Sequence, residues 1–252
     1  MGGIFVSLKE GSENNCPVIL VHGDYQNHTI FRWLENYFIE REHTTASIDL
    51  PGHGLSETRE LDLSGLLEDI ILRENLRNPV IIGNSFGGLL AVDYAKKGRV
   101  SSLVLLNSPI LNMAKIYPNI NWNAKLSEYE TISGQFFERQ SLVDYSEMGY
   151  LSEDELTQFG LKTTSPLGVR NNMRFYRFFN EHHNIDLNVP VLFITSEKDE
   201  LVPKDYLKKW IDENKKRKLE PVSGSHNVLI QSPQAISAIL EKHYSFLFSD
   251  TV

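Results

Sequence analysis

Serine becomes a nucleophile only when a neighbouring base takes its proton, so a reactive serine is recognised by its surroundings. Ser85 lies in Gly83-Asn84-Ser85-Phe86-Gly87. The apolar run Pro79-Val80-Ile81-Ile82 before it reads as a strand, and Gly88 to Lys97 after it reads as a helix. A G-x-S-x-G motif between strand and helix holds its serine at the tip of a sharp turn. Small residues at 83 and 87 let strand and helix pass closely, and the strained backbone aims the hydroxyl out of the fold. At the head of the helix, free N–H groups favour a developing oxyanion. The motif alone is weak, because glycine and serine are common in loops. The plainer reading is an ordinary strand-to-helix turn.

The base and the acid that orients it must then come from the ends of other strands. Asp199 follows the apolar run 190–195, and His226 follows the run 218–222 and precedes the last helix. The order Ser, Asp, His is the one expected when the serine sits on such an elbow. Each of the two has rivals in the sequence. Glu197 or Glu200 can stand in for Asp199, and His182, His183 and His243 compete with His226. An acyl-transfer site also needs oxyanion donors. The backbone N–H of Phe86 is one, and the other is expected from the turn after the strand 17–21, from Asp24 or Tyr25. Gly23 lets that turn approach closely. His22 and His53 read as loop formers whose rings bind backbone.

The elements that must position these residues can be followed along the chain. Ile4–Leu8, Pro17–Val21, Thr44–Leu50, 79–82, 102–107, 190–195 and 218–222 read as strands. Several are continuously apolar, as in strands buried on both faces. Phe31–Ile39, Leu61–Glu74, 88–97, Lys204–Glu213 and Pro233–Phe246 read as helices, the last opening on proline. Alternation of strand and helix means a mainly parallel sheet covered on both faces, an α/β fold. From about 110 to 185 the alternation stops and aromatic residues accumulate, among them Tyr117, Trp122, Phe136, Phe175, Tyr176 and Phe179. Gly134–Leu142 and Arg170–Phe179 read as helices, and Ser152 with its following acids reads as a helix start. This segment is expected to be a helical insertion over the sheet. Most of its aromatics should pack against the core and a few should face a pocket at the carboxyl edge of the strands.

Composition narrows the function classes. With 25 basic and 33 acidic residues the formal charge is −8, which disfavours nucleic acid and anionic membrane as partners. The basic residues at 215–218 read as a solvated helix end. The single cysteine, Cys16, excludes a disulfide framework and a cysteine metal cluster. No leader pattern or run of 18 apolar residues is present, so no membrane span is expected and the cytoplasm is the default location. His22, Asp24, His28, Asp49 and His53 match no compact ligand spacing, and no glycine pattern fits a nucleotide. No cofactor or metal is expected, and nothing sets the oligomeric state.

Taken together, His22-Gly23, Asp49-Leu50-Pro51-Gly52-His53-Gly54-Leu55-Ser56, Gly83 to Gly88, Asp199 and Gly224-Ser225-His226 resemble the small capped α/β-hydrolases. That group includes esterases, proline iminopeptidases and carbon–carbon bond hydrolases, and the resemblance covers essentially the whole chain. It implies Ser85 as nucleophile, His226 as base, Asp199 as orienting acid, a core of 1–109 with 186–252, and a cap of 110–185. Dehalogenases and epoxide hydrolases of this fold carry aspartate at the nucleophile position, so serine speaks against both. Asn84 and Phe86 depart from the Gly-Gly-Ser-Trp-Gly setting of the iminopeptidases. The expectation is a carboxylesterase acting on small to medium, largely apolar esters through an acyl-enzyme. Amide or carbon–carbon cleavage by the same residues, or a non-catalytic small-molecule-binding protein, are the alternatives.

Overall fold

The computed structural model describes residues 3–97, 99–110, 164–182, 185–199, 202 and 205–249. Among them seven short strands form one sheet. These are β1 (Val6–Lys9), β2 (Val18–Val21), β3 (Thr45–Ile48), β4 (Val80–Asn84), β5 (Ser102–Leu106), β6 (Val191–Ser196) and β7 (Arg217–Val222), in the order β1-β3-β2-β4-β5-β6-β7. All neighbours pair in parallel except β1, which runs antiparallel to β3 with Leu8 opposite Ala46. The link from β1 to β2 is too short for the helical crossover that a parallel β1 would need.

The apolar runs are buried on both faces, as their continuity predicts. Side chains alternate along each strand. Ile19, Val21, Ile81, Leu103, Leu105 and Phe193 pack on one face with α2 (Leu66–Arg73) and α3 (Phe86–Ala95). Val18, Leu20, Ile82, Val104, Leu106 and Ile194 pack on the other with α1 (Arg32–Ile39) and the C-terminal helices. Of the aromatic insertion, α4 (Pro166–Glu181) is described, and it exceeds the expected span 170–179 at both ends. Phe175, Tyr176 and Phe179 are buried on the α3 face. The helices expected at 134–142 and after Ser152 lie outside the described residues.

Beyond α5 (Asp205–Asp212) and the edge strand β7 come α6 (Val228–Gln231), α7 (Pro233–Lys242) and α8 (Tyr244–Leu247). The helix expected over 233–246 is therefore broken. His243 leaves helical geometry at φ −110°, ψ 14°, and its ring nitrogen sits 2.7 Å from Glu220 on β7. The turn lets α8 return to the sheet, where the Leu247 carbonyl accepts from Ser102 Oγ at 2.9 Å.

The loops that follow β2 and β3 are locked together by buried side chains. His22 donates from Nδ1 to the Gly23 carbonyl at 2.7 Å and accepts the Leu50 N–H at Nε2 at 3.0 Å. Asp49 Oδ1 accepts from the His28 N–H at 2.6 Å, and Oδ2 accepts from the Leu55 N–H at 2.8 Å. His28 Nδ1 lies 2.9 Å from both carboxylate oxygens. Burial alone would raise the Asp49 carboxyl, but the His28 contact and the converging N–H groups leave it below its ordinary value. His22 and His53 are loop formers, as expected, with rings 5.1 Å apart.

Burial pushes His22 down to about 4 and, with the nearby His22 charge, His53 down to about 3. The unfolded chain protonates these rings near pH 6.5, whereas the folded chain refuses the proton until far lower pH. Their full stability is thus present above pH 6.5 and is lost as pH falls toward the folded values. His53→Asn, which keeps a donor toward the Pro51 carbonyl, should reduce the loss of stability between pH 7 and pH 5 by about 2 kcal/mol in urea titrations. An equal loss in both proteins would contradict this account.

Candidate active site

Each predicted residue can now be placed from the backbone outward. Ser85 joins β4 to α3 and takes φ 48°, ψ −117°, a conformation a non-glycine residue adopts only when its surroundings enforce it. The enforcement is visible. The Ser85 N–H donates to the Leu106 carbonyl at 2.8 Å, and Gly87 crosses the end of β2 so closely that a Cβ there would lie 2.1 Å from the Val21 carbonyl oxygen. Gly23 is also constrained, though less severely, because a Cβ on it would stand 2.9 Å from Ser85 Cβ. The β2 loop and the serine turn therefore touch.

His226 Nε2 lies 2.9 Å from Ser85 Oγ, and its Nδ1 lies 3.0 Å from Asp199 Oδ2. The His226 and Asp199 side chains are each 1% exposed. Asp199 Oδ1 also accepts the Val202 N–H at 3.0 Å, which fixes the carboxylate on both oxygens. The loops carrying acid and histidine are stitched together by main-chain bonds. The Glu197 N–H donates to the Val222 carbonyl at 2.9 Å and the Lys198 N–H to the Gly224 carbonyl at 3.1 Å. Asn107, at the end of β5, donates to the His226 carbonyl at 2.9 Å and to Ser196 Oγ at 2.8 Å, and accepts the Ser196 N–H at 2.8 Å.

Two of the rival histidines are engaged away from this constellation. His182 sits at the end of α4 with Nδ1 2.9 Å from the Phe178 carbonyl, and His243 is occupied with Glu220. His183 and Glu200 lie outside the described residues. Among the described residues the backbone N–H groups of Asp24 and Phe86 donate to no acceptor, leaving both available to a ligand. No group of three or more metal-capable side chains occurs among the described residues. Of the five residues considered for such a cluster, His22, His28, Asp49 and His53 instead bind backbone and one another.

Sequence reasoning missed a set of buried amides. Gln26 Oε1 accepts from the Gly23 N–H and from Asn84 Nδ2, each at 2.8 Å, while its Nε2 donates to Asn227 Oδ1 at 2.9 Å. One side chain thus ties the β2 loop, the serine turn and the histidine loop. The only sequence signal was position, since Asn84 and Asn227 each adjoin a candidate residue. Asp24 offers more than its backbone: its carboxylate accepts from Asn172 Nδ2 at 2.5 Å and Tyr176 Oη at 2.8 Å, both on α4.

Comparison with known proteins agrees with this fold. The model of the alpha/beta hydrolase family matches residues 18–239. The AB hydrolase superfamily protein YisY of Bacillus subtilis is 23% identical over 247 residues, covering 89% of this chain and 90% of that one. Among solved structures, the esterase EaEST from Exiguobacterium antarcticum superposes with a TM-score of 0.71 at 17% identity, over 95% of this chain and 94% of the other. A thermophilic esterase from Thermogutta terrifontis gives 0.72 at 15% identity, over 97% and 94%. An epoxide hydrolase from Bacillus megaterium gives 0.69 at 18% identity, over 97% and 96%. At these identities the structural likeness is one of fold, and a fold shared by esterases and an epoxide hydrolase does not select the reaction.

Gln26 makes a quantitative test of positioning. Gln26→Ala strands the Gly23 N–H and frees three loops at once. Hydrolysis should fall about 30-fold in kcat, with KM little changed, and stability should drop by about 2 kcal/mol. Steady-state kinetics with urea titration measures both, and an unchanged kcat would contradict the positioning role.

Proposed function

The chain belongs to the alpha/beta hydrolase family, and on that premise we propose that it hydrolyses carboxylic esters of small to medium, largely apolar substrates through an acyl-enzyme. The observation that carries the reading is the unbroken chain of short contacts from Ser85 Oγ through the His226 ring to the Asp199 carboxylate, in a buried setting. Serine at the elbow, where epoxide hydrolases of this fold hold aspartate, favours acyl transfer.

In the proposed reaction His226 Nε2 removes the Ser85 hydroxyl proton as Oγ attacks the ester carbonyl carbon, and the carbonyl electron pair moves to oxygen. The oxyanion is held by the backbone N–H groups of Phe86 and Asp24, the former at the head of α3. As the tetrahedral intermediate collapses, the carbon–alkoxide bond breaks and the His226 imidazolium protonates the leaving alcohol. Water then adds to the acyl carbon with His226 again as base, and the acid leaves with Ser85 regenerated. Asp199, accepting from Nδ1, holds the ring in the tautomer that presents Nε2 to serine and stabilises the imidazolium. Residues 110–185 are proposed as the cap over this site. The edge-on contact of Phe86 with Tyr176 of α4, at 4.8 Å between ring centres, supports an apolar wall beside the nucleophile.

Hydrolysis of p-nitrophenyl esters from acetate to palmitate, by the native chain and by Ser85→Ala, tests the proposal. The expected result is a clear optimum in chain length and a loss of at least about 10³-fold in kcat for the variant. Full activity in Ser85→Ala would contradict it.

A further inference from the structure

The two N–H groups proposed to hold the oxyanion come from different turns, so tertiary contacts must set their spacing. One belongs to Phe86, at the head of α3. The other belongs to Asp24, which follows Gly23 in the loop packed against Ser85. That loop is held from one side by Gln26, whose Oε1 accepts the Gly23 N–H at 2.8 Å. Tyr25, next in the chain, takes φ 59°, a left-handed conformation uncommon outside glycine. Such a loop needs holding from a second side as well.

The second hold comes from α4. Asn172 and Tyr176 stand one turn apart on one face of the helix, and both are buried. Asn172 Nδ2 donates to Asp24 Oδ1 at 2.5 Å, and Tyr176 Oη donates to Asp24 Oδ2 at 2.8 Å. The Tyr176 ring meets Phe86 edge-on at 4.8 Å between centres. Tyr176 therefore touches both residues that carry the proposed donors, Phe86 through its ring and Asp24 through its hydroxyl. The helix is itself anchored to the core. The Ser165 N–H donates to the Gly52 carbonyl at 2.9 Å, and Asn171 Nδ2 donates to the Arg59 carbonyl at 2.7 Å. Burial raises the Asp24 carboxyl above its ordinary range, and the two helix donors act against that rise. Removing one donor leaves the carboxyl short of a partner, which favours movement of the loop.

We propose that Tyr176 is a positioning residue of the oxyanion hole: with Asn172 it ties the β2 loop to α4, and so keeps the Asp24 N–H at the distance from the Phe86 N–H that one oxyanion requires. This rests on the proposed ester-cleaving site and extends it to a helix of the insertion. Tyr176 takes no part in bond making or breaking.

The test uses 1,1,1-trifluorooctan-2-one. Ser85 Oγ adds to its carbonyl carbon, the carbonyl electron pair moves to oxygen, and His226 takes the serine proton. The adduct thus carries the oxyanion with no leaving group expelled, and it forms independently of ester turnover. Fluorine NMR titration gives the dissociation constant. Tyr176→Phe keeps the ring on Phe86 and loses only the hydroxyl, and it should bind the ketone about tenfold more weakly than the native chain. Asn172→Ala should weaken binding in the same direction. Ser85→Ala holds the ketone without forming the oxyanion, and adding Tyr176→Phe there should change affinity by less than about twofold. In ester hydrolysis the loss should fall on kcat, with KM within about twofold. Unchanged affinity in Tyr176→Phe, equal weakening with and without Ser85, or a loss confined to KM would overturn the inference. No adduct on the native chain would overturn it whether or not esters are cleaved. The expected pattern of ketone binding without turnover of any ester would contradict ester hydrolysis and leave the role of Tyr176 standing.

Discussion

Ser85 occupies a backbone conformation it would not choose, at φ 48° and ψ −117°, and much of the surrounding structure serves to hold it there. Strain of this kind costs on the order of 1–3 kcal/mol and persists only when neighbours over-determine it. The neighbours are a parallel sheet whose central strands are buried on both faces, a helix that begins one residue later, and a β2 loop so close that residues 23 and 87 have no room for a side chain. The strain is what turns Oγ toward His226, while the N–H of Phe86 has no acceptor among the described residues.

The second constraint is polar. Four loops meet at the carboxyl edge of the sheet, and buried main-chain groups there must find partners. The protein meets this with short amides placed at strand ends: Gln26 for the β2 loop, Asn84 for the serine turn, Asn107 for β5 and Asn227 for the histidine loop. Each satisfies one loop with atoms of another, so that acid, histidine and serine are fixed relative to one another and not only within their own turns. The helix α4 joins this arrangement through Asn171, which donates to the Arg59 carbonyl, and through Asn172 and Tyr176 on Asp24. It therefore links the insertion to the site as well as covering part of the sheet.

Much of this was legible in the sequence because it rests on local signals. Continuous apolar runs announced β2 and β4 to β6, the glycines of the elbow announced the turn, and the order Ser85, Asp199, His226 brought three distant residues into one reading. What escaped the sequence depends on tertiary pairing. The antiparallel sense of β1 follows from its link to β2, and the break at His243 follows from its contact with Glu220. Glutamine and asparagine carry no periodic signature, so Gln26 and Asn107 read as loop residues. The Asp24 carboxylate was hidden for another reason: its partners on α4 lie about 150 residues away in the chain.

The central claim is that Ser85, activated by His226 and oriented through Asp199, is the nucleophile. Its most direct measurement is intact-mass analysis with peptide mapping after exposure to a p-nitrophenyl alkylphosphonate. Attack of Oγ on phosphorus expels p-nitrophenolate and leaves a stable adduct. The account predicts one phosphonyl group per chain, on Ser85, formed far more slowly when His226 is replaced by alanine. No adduct, or an adduct on another residue with Ser85 unmodified, would contradict it.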